Sequence, residues 1–309
     1  MLAIIAPGQG AQSPGFLSPW LEDQNLRDLL GAWSESIHLD LLHLGTMADA
    51  DEIRNTANAQ PLIVAAGLLG IKALGSEIDF SITAGHSVGE ITAAAIADVF
   101  SAADAMSLVR ERGLAMAVAA AQSQTGMSAV LGGDRDEVLA AIAELGLVPA
   151  NDNGAGQIVA AGDLDALARL GENPPVGARV RALAVAGAFH THYMESAVNR
   201  LHDFAQSLPA KNPRIALLSN RDGEVVTTGG EVVERIVSQI ANPVRWDLCM
   251  KKMGELGVTA VIEVPPAGTL VGLIKRALPG VETLALKSPA DLESARVLIA
   301  RHSGKIGPK

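Results

Sequence analysis

The chain has 309 residues, 49% of them hydrophobic and 19% charged, with 31 glycines and 15 prolines. That is the make-up of an ordinary α/β protein, long enough for one large domain or two smaller ones. Aromatics make up 3% and the formal net charge is −10, which argues against base-stacking platforms and against nucleic acid or an anionic membrane as a partner.

A single cysteine, Cys249, excludes an internal disulfide and any multi-cysteine metal site. It is expected as a small buried hydrophobe. The opening MLAIIAPGQG has a short apolar run and no basic region, so it reads as a strand and not as a signal peptide. PLIVAAGLLGIKAL carries Lys72 and reads as too short to span a bilayer. The expected location is the cytoplasm.

In chain order, LAIIA (2–6), FSITA (80–84), RIALLS (214–219), TAVIEV (259–264) and ETLAL (282–286) read as buried strands. Helical patterns such as QPLIVAAGLLGIKAL, AMSLVRERGLAMAVAAA and MESAVNRLHDFAQSL lie between them. This alternation predicts an α/β fold with a mainly parallel sheet covered on both faces. Residues 125–187 change rhythm: MSAVLG, DRDEVLAAIAELG, LVPAN, GQIVAAG, LDALARLG and RVRALAV give β-α-β-β-α-β, the ferredoxin-like order. The α/β pattern then resumes. The expectation is a large core from 1–124 and 188–309, with 125–187 as an inserted ferredoxin-like subdomain. The tail GKIGPK is expected to fray.

GHSVG (85–89) fits G-x-S-x-G between a strand and a helix. The turn presents the Ser87 hydroxyl at the positive end of a helix, beside free backbone N–H groups. A serine needs a base, and seven histidines are available. His38, His43, His202 and His302 lie in polar or helix-surface settings. His86 adjoins the serine, but side chains diverge at a turn, so it reads as a wall of the site. His190 and His192, in VAGAFHTHYME, sit on a strand-to-helix loop that could face Ser87. The first loop, APGQGAQ, lacks both a third fingerprint glycine and a GK[ST] ending. It can instead offer an amide to a developing oxyanion.

In SAADAMSLVRERGLAMA, Ser101 and Asp104 read as a capping box. Ala105, Val109, Arg112 and Met116 share one helix face. A guanidinium on an apolar stripe needs an anion, either an internal acid or a substrate carboxylate. Arg110 also has apolar neighbours, so spacing leaves the choice between the two arginines open.

PGQGAQ, GHSVGE, RERGLAM, GAFHTHYM and SQIANPVRW, in this order and spacing from residue 7 to about 275, resemble the malonyl-CoA:acyl carrier protein transacylases. The resemblance implies an α/β-hydrolase-like core with a ferredoxin-like insert, and ping-pong transfer of a malonyl group from coenzyme A to the phosphopantetheine thiol of acyl carrier protein. It implies Ser87 as nucleophile and His190 as its base, oriented by the backbone carbonyl of Gln239. The amides of Gln9 and Val88 would form the oxyanion hole, and Arg112 would take the malonyl carboxylate. Neither metal nor redox cofactor is implied, and nothing calls for more than a monomer. Val88 and the AFH of the histidine motif match malonyl-type members, whereas Gly187 before them departs from the commonest spelling. Lys251, Lys252, Lys275 and Arg276 are candidates for a basic patch facing an acidic carrier protein. An α/β esterase shares the serine turn but usually places its histidine near the C-terminus, after an acidic triad member. A non-catalytic carrier-binding module would have no need of Ser87, His190 and Arg112 together.

Overall fold

The computed structural model describes residues 1–75 and 78–302, so the tail GKIGPK lies outside the described residues. In chain order the elements are β1 (Leu2–Ala6), α1 (Gln24–Ser36), α2 (Leu41–Thr46), α3 (Thr56–Leu74), β2 (Ile82–Gly85), α4 (Gly89–Ile96) and α5 (Ala102–Ala120). Next come β3 (Thr125–Gly132), α6 (Arg135–Glu144), β4 (Val148–Asp152), β5 (Gln157–Asp163), α7 (Leu164–Glu172) and β6 (Ala178–Ala182). They are followed by α8 (Glu195–Ala205), β7 (Ala216–Leu218), β8 (Val225–Val226), α9 (Gly229–Ser238) and β9 (Val244–Arg245). The last are α10 (Trp246–Glu255), β10 (Ala260–Glu263), α11 (Leu270–Ala277), β11 (Glu282–Ala285) and α12 (Leu292–His302).

One sheet has the order β11-β10-β1-β2-β7-β8 and is parallel except for β8. The run LAIIA is apolar throughout because both faces of β1 are covered. Ala3 and Ile5 pack with Trp246, Met250, Leu270 and Ile274 of α10 and α11. Leu2 belongs to the large cluster formed with α3 and α5, and Ile4 packs with Ile96 and Val264.

The second sheet has the order β6-β3-β5-β4-β9. Val130, Ile158 and Ala160 meet Val138, Ile142, Leu167 and Leu170 of α6 and α7 on one face. Its other face, with Met127 and Val159, belongs to the large cluster. This sheet is not built from 125–187 alone. β9 comes from the segment read as core and pairs in parallel with β4, Asn151 against Val244 and Asp152 against Arg245. A two-residue strand straight after Pro243 has no periodicity to betray it.

Two further readings change. α3 is long and apolar enough to cross a membrane by length and composition, contrary to the shorter span read from sequence, yet it is largely buried inside the protein. Ser101 caps α5 by accepting from the Asp104 amide, but its hydroxyl also donates to the Asp104 carboxylate, so the reciprocal box does not form.

Candidate active site

The serine turn is built by close approach. A Cβ on Gly85 would lie 1.9 Å from the carbonyl carbon of Gly89, and one on Gly89 would lie 2.3 Å from the carbonyl oxygen of Ala6. No side chain fits either position, so β2 can bend directly into α4 beside β1. Ser87 then sits at φ 53°, a left-handed conformation that L residues rarely adopt. The Asn220 side chain stabilises the bend: its Oδ1 accepts from the Ser87 amide at 2.8 Å, and its Nδ2 donates to the Gly85 carbonyl at 2.7 Å.

The loop after β6 brings His190 to the serine, with Nε2 2.7 Å from Ser87 Oγ. His190 is also left-handed, at φ 63°, and its amide donates to the Ile240 carbonyl. Its Nδ1 lies 2.8 Å from the carbonyl oxygen of Gln239, which fixes the tautomer with Nε2 free to accept the serine proton. The histidine therefore leans on a backbone carbonyl and not on a carboxylate. Burial, reinforced by the nearby Arg112, lowers the His190 pKa to about 3. His192 is exposed and stacks against Tyr193.

Arg112 is buried and Arg110 is not; the latter spends its guanidinium on the Ala57 carbonyl. Arg112 Nη1 donates to Gln60 Oε1 at 2.6 Å, and Nη2 donates to Gln239 Oε1 at 2.8 Å and reaches Ser87 Oγ at 3.5 Å. Its Nε has no partner among the described residues. Burial lowers its pKa to about 10, which Glu90 opposes, so it stays charged at neutral pH. No carboxylate forms an ion pair with it among the described residues.

Ser87 and His190 open into a cleft of about 250 Å³ lined by Gly8, Gln9, His86, Asn153, Val159 and Leu270 among others. The amides of Gln9 and Val88 make no hydrogen bond among the described residues. Gly8 lets the first loop approach, since a Cβ there would lie 2.9 Å from His86 Nδ1. His86 reaches Asn153, just past the end of β4, Nε2 to Oδ1 at 2.8 Å, and so joins the two walls.

The residues behind the site were not legible as functional. Nothing in the sequence alone gives Glu90, Asn220 or Gln60 a role. Cys249 is buried with its thiol pKa raised by burial. Of the basic candidates, Lys251 is tied to Glu255 and Lys252 to Glu224 and Glu255. Among the described residues no three His, Cys, Asp or Glu side chains gather to hold a metal ion.

A Ser–His pair lining a cleft, with a buried guanidinium beside the hydroxyl, on an α/β fold, describes an acyl-transferring enzyme. The chain belongs to the acyl transferase family, whose domain model matches residues 4–298. Within that family it is similar to malonyl CoA-acyl carrier protein transacylases. The relative from Mycobacterium tuberculosis is 54% identical over 95% of this chain and 98% of its own length. The Bacillus subtilis relative is 32% identical over 95% and 96%. The crystal structure of the M. tuberculosis enzyme superposes with a TM-score of 0.91 at 53% identity, covering 95% of this chain and 99% of that one. A malonyl-transacylase solved with a type II polyketide-synthase acyl-carrier protein gives 0.90 at 28% identity, covering 95% and 98%.

Proposed function

We propose that the chain transfers a malonyl group from malonyl-CoA to the phosphopantetheine thiol of an acyl carrier protein. The observation that carries the malonyl reading is Arg112, a buried cation with no carboxylate of the protein in ion-pair contact, 3.5 Å from the Ser87 hydroxyl. A buried charge held only by neutral amides, with no opposite charge in contact, is costly, and an acyl group ending in a free carboxylate supplies that charge.

In the first half-reaction His190 Nε2 takes the Ser87 proton as Oγ attacks the thioester carbonyl. The Gln9 and Val88 amides receive the oxyanion, each donor contributing about 3 kcal/mol. The C–S bond breaks, His190 returns its proton to the departing coenzyme A sulfur, and a malonyl-serine ester remains. The carrier thiol then gives its proton to His190, attacks the ester, and releases Ser87 with its proton restored.

The strand order β6-β3-β5-β4 with α6 and α7 on one face supports a ferredoxin-like subdomain over 125–187, set on an α/β-hydrolase-like core from 1–124 and 188–309. Carrier approach finds a different basic surface from Lys251 and Lys252. On β6, Ala178 and Val180 pack toward α6 and α7, so Arg179 and Arg181 lie on the opposite face, whose alternation leads on to Leu183 in the cleft wall. Both are exposed, and neither has a hydrogen-bond or ion-pair partner among the described residues.

Intact-protein mass spectrometry after brief exposure to malonyl-CoA tests the reading. A single malonyl adduct on Ser87, discharged by holo carrier protein, is expected. Steady release of malonate without carrier, or no adduct at all, would overturn it.

A further inference from the structure

Gln239 does two jobs at once: its carbonyl holds His190, and its side-chain Oε1 accepts from Arg112. Something must keep that amide from turning over, because the reversed group would aim an NH₂ at the guanidinium. The Nε2 end is surrounded by acceptors: the Glu90 carboxylate, the Ser87 carbonyl at 3.1 Å and Asn220 Oδ1 at 3.1 Å. Asn220 is itself fixed, since its Nδ2 donates to Gly85. The other Glu90 oxygen accepts from the Asn220 amide. Glu90 is 5% exposed, and its side chain neither lines the cleft nor hydrogen-bonds Ser87 Oγ.

We infer that Glu90 is a positioning residue for acyl-group choice: by accepting from Gln239 Nε2 it holds the amide's oxygen against Arg112 and so aims the guanidinium at the acyl carboxylate over Ser87. This rests on the proposed malonyl transfer. The arrangement demands an acceptor-only carboxylate. Glu90 faces two donors, and the Asn220 backbone N–H cannot turn. A neutral acid or an amide at position 90 therefore keeps its one carbonyl acceptor there and presents its donor to Gln239 Nε2, and two donors facing each other turn the Gln239 amide. Arg112 then loses its Oε1 partner and swings, while the Gln239 backbone carbonyl still orients His190. The consequence falls on acyl groups that use Arg112 and spares those that do not.

Two arms test this, both read as the ratio of kcat/KM for malonyl-CoA to that for acetyl-CoA. The ratio cancels whatever happens to Ser87 and His190. In Glu90→Gln the ratio is expected to drop about tenfold or more, the worth of one misplaced hydrogen bond to a charge, with acetyl transfer changed less than about threefold. The second arm follows the ratio with pH. Burial raises the Glu90 pKa to about 7, so in the wild type the ratio should fall as pH drops from 8 to 6 and stay flat in Glu90→Gln. The groups facing Glu90 are Arg112 of α5, Arg235 of α9, Cys249 of α10, and the polar Asn220 and Gln239. Both arginines remain cationic and the thiol remains neutral across that range, which leaves the Glu90 carboxyl as the titrating member. The malonyl carboxylate also stays ionised there.

A wild type that does not prefer malonyl over acetyl removes the underlying reading. A wild type that prefers malonyl at a pH-independent ratio, or a Glu90→Gln enzyme that loses both substrates equally, overturns the role given to Glu90 alone.

Discussion

Ser87 and His190 meet at 2.7 Å across 103 positions of sequence, and each does so from a left-handed backbone, at φ 53° and 63°. Such conformations cost about 1–2 kcal/mol for an L residue, and two at the reacting pair indicate stability given up for geometry. Ser87→Gly and Ser87→Ala should both be inactive, since neither carries a hydroxyl. The glycine variant should be more stable than the alanine variant by about 0.5–1 kcal/mol, after allowing for glycine's larger unfolded-state entropy. Urea melts of the two variants check the order, and an alanine variant as stable as the glycine one would mean the turn is unstrained.

Arg112→Ala separates recognition from chemistry. Malonyl transfer should fall by about a hundredfold, in line with removing one half of a buried charge pair. Acetyl transfer should persist or rise, because the group removed does not hold His190. Steady-state kinetics with both thioesters decides it; equal losses would make the arginine a packing residue.

Two buried groups titrate with opposite effects on stability. His190 has a folded pKa of about 3 against 6.5 unfolded, so between those values the unfolded chain binds the extra proton and stability falls on acidification. Glu90 is raised to about 7 from 4.5; there the folded state binds the extra proton and stability grows on acidification. Each slope approaches about 1.4 kcal/mol per pH unit, and from pH 6.5 to 4.5 they cancel. Glu90→Gln should therefore lose stability across that window relative to the wild type, and His190→Ala should gain it. Denaturant unfolding at pH 6.5, 5.5 and 4.5 provides the comparison, and parallel profiles for all three proteins would refute it.

Arg179 and Arg181 are exposed on β6, without a hydrogen-bond or ion-pair partner among the described residues, on a chain of net charge −10. Reversing both to Glu should lower kcat/KM for holo carrier protein and for malonyl-CoA by about tenfold at low salt, with the loss shrinking as salt rises. A phosphate-free malonyl-pantetheine substrate should be unaffected. Loss of activity with all three alike would point to damage in the fold and not to a lost electrostatic surface.

Much of this was legible in the sequence, for identifiable reasons. β1, β2, β7, β10 and β11 announced themselves as apolar runs, as the interior strands of a sheet covered on both faces do, whereas the two-residue β8 did not. The serine turn was readable because close backbone approach at Gly85 and Gly89 leaves only glycine possible. Helix spacing could not separate Arg110 from Arg112, since both have apolar neighbours at helical intervals; packing against Gln60 and Gln239 makes the difference. Glu90, Asn220 and Gln60 stayed hidden because each acts through another side chain brought from a distant segment. β9 stayed hidden because two residues carry no pattern.

That short strand has a mechanical consequence. Val244 and Arg245 are laddered onto β4, and the same chain, a few residues upstream, supplies the carbonyl that steadies His190. Prying the two walls of the cleft apart would have to unzip this seam, and pulling on the seam drags the imidazole's support with it. Under the proposed transfer, gaping and disarming would then be a single event: an enzyme loosened enough to admit bulk solvent would also lose the alignment needed to squander its acyl group on water.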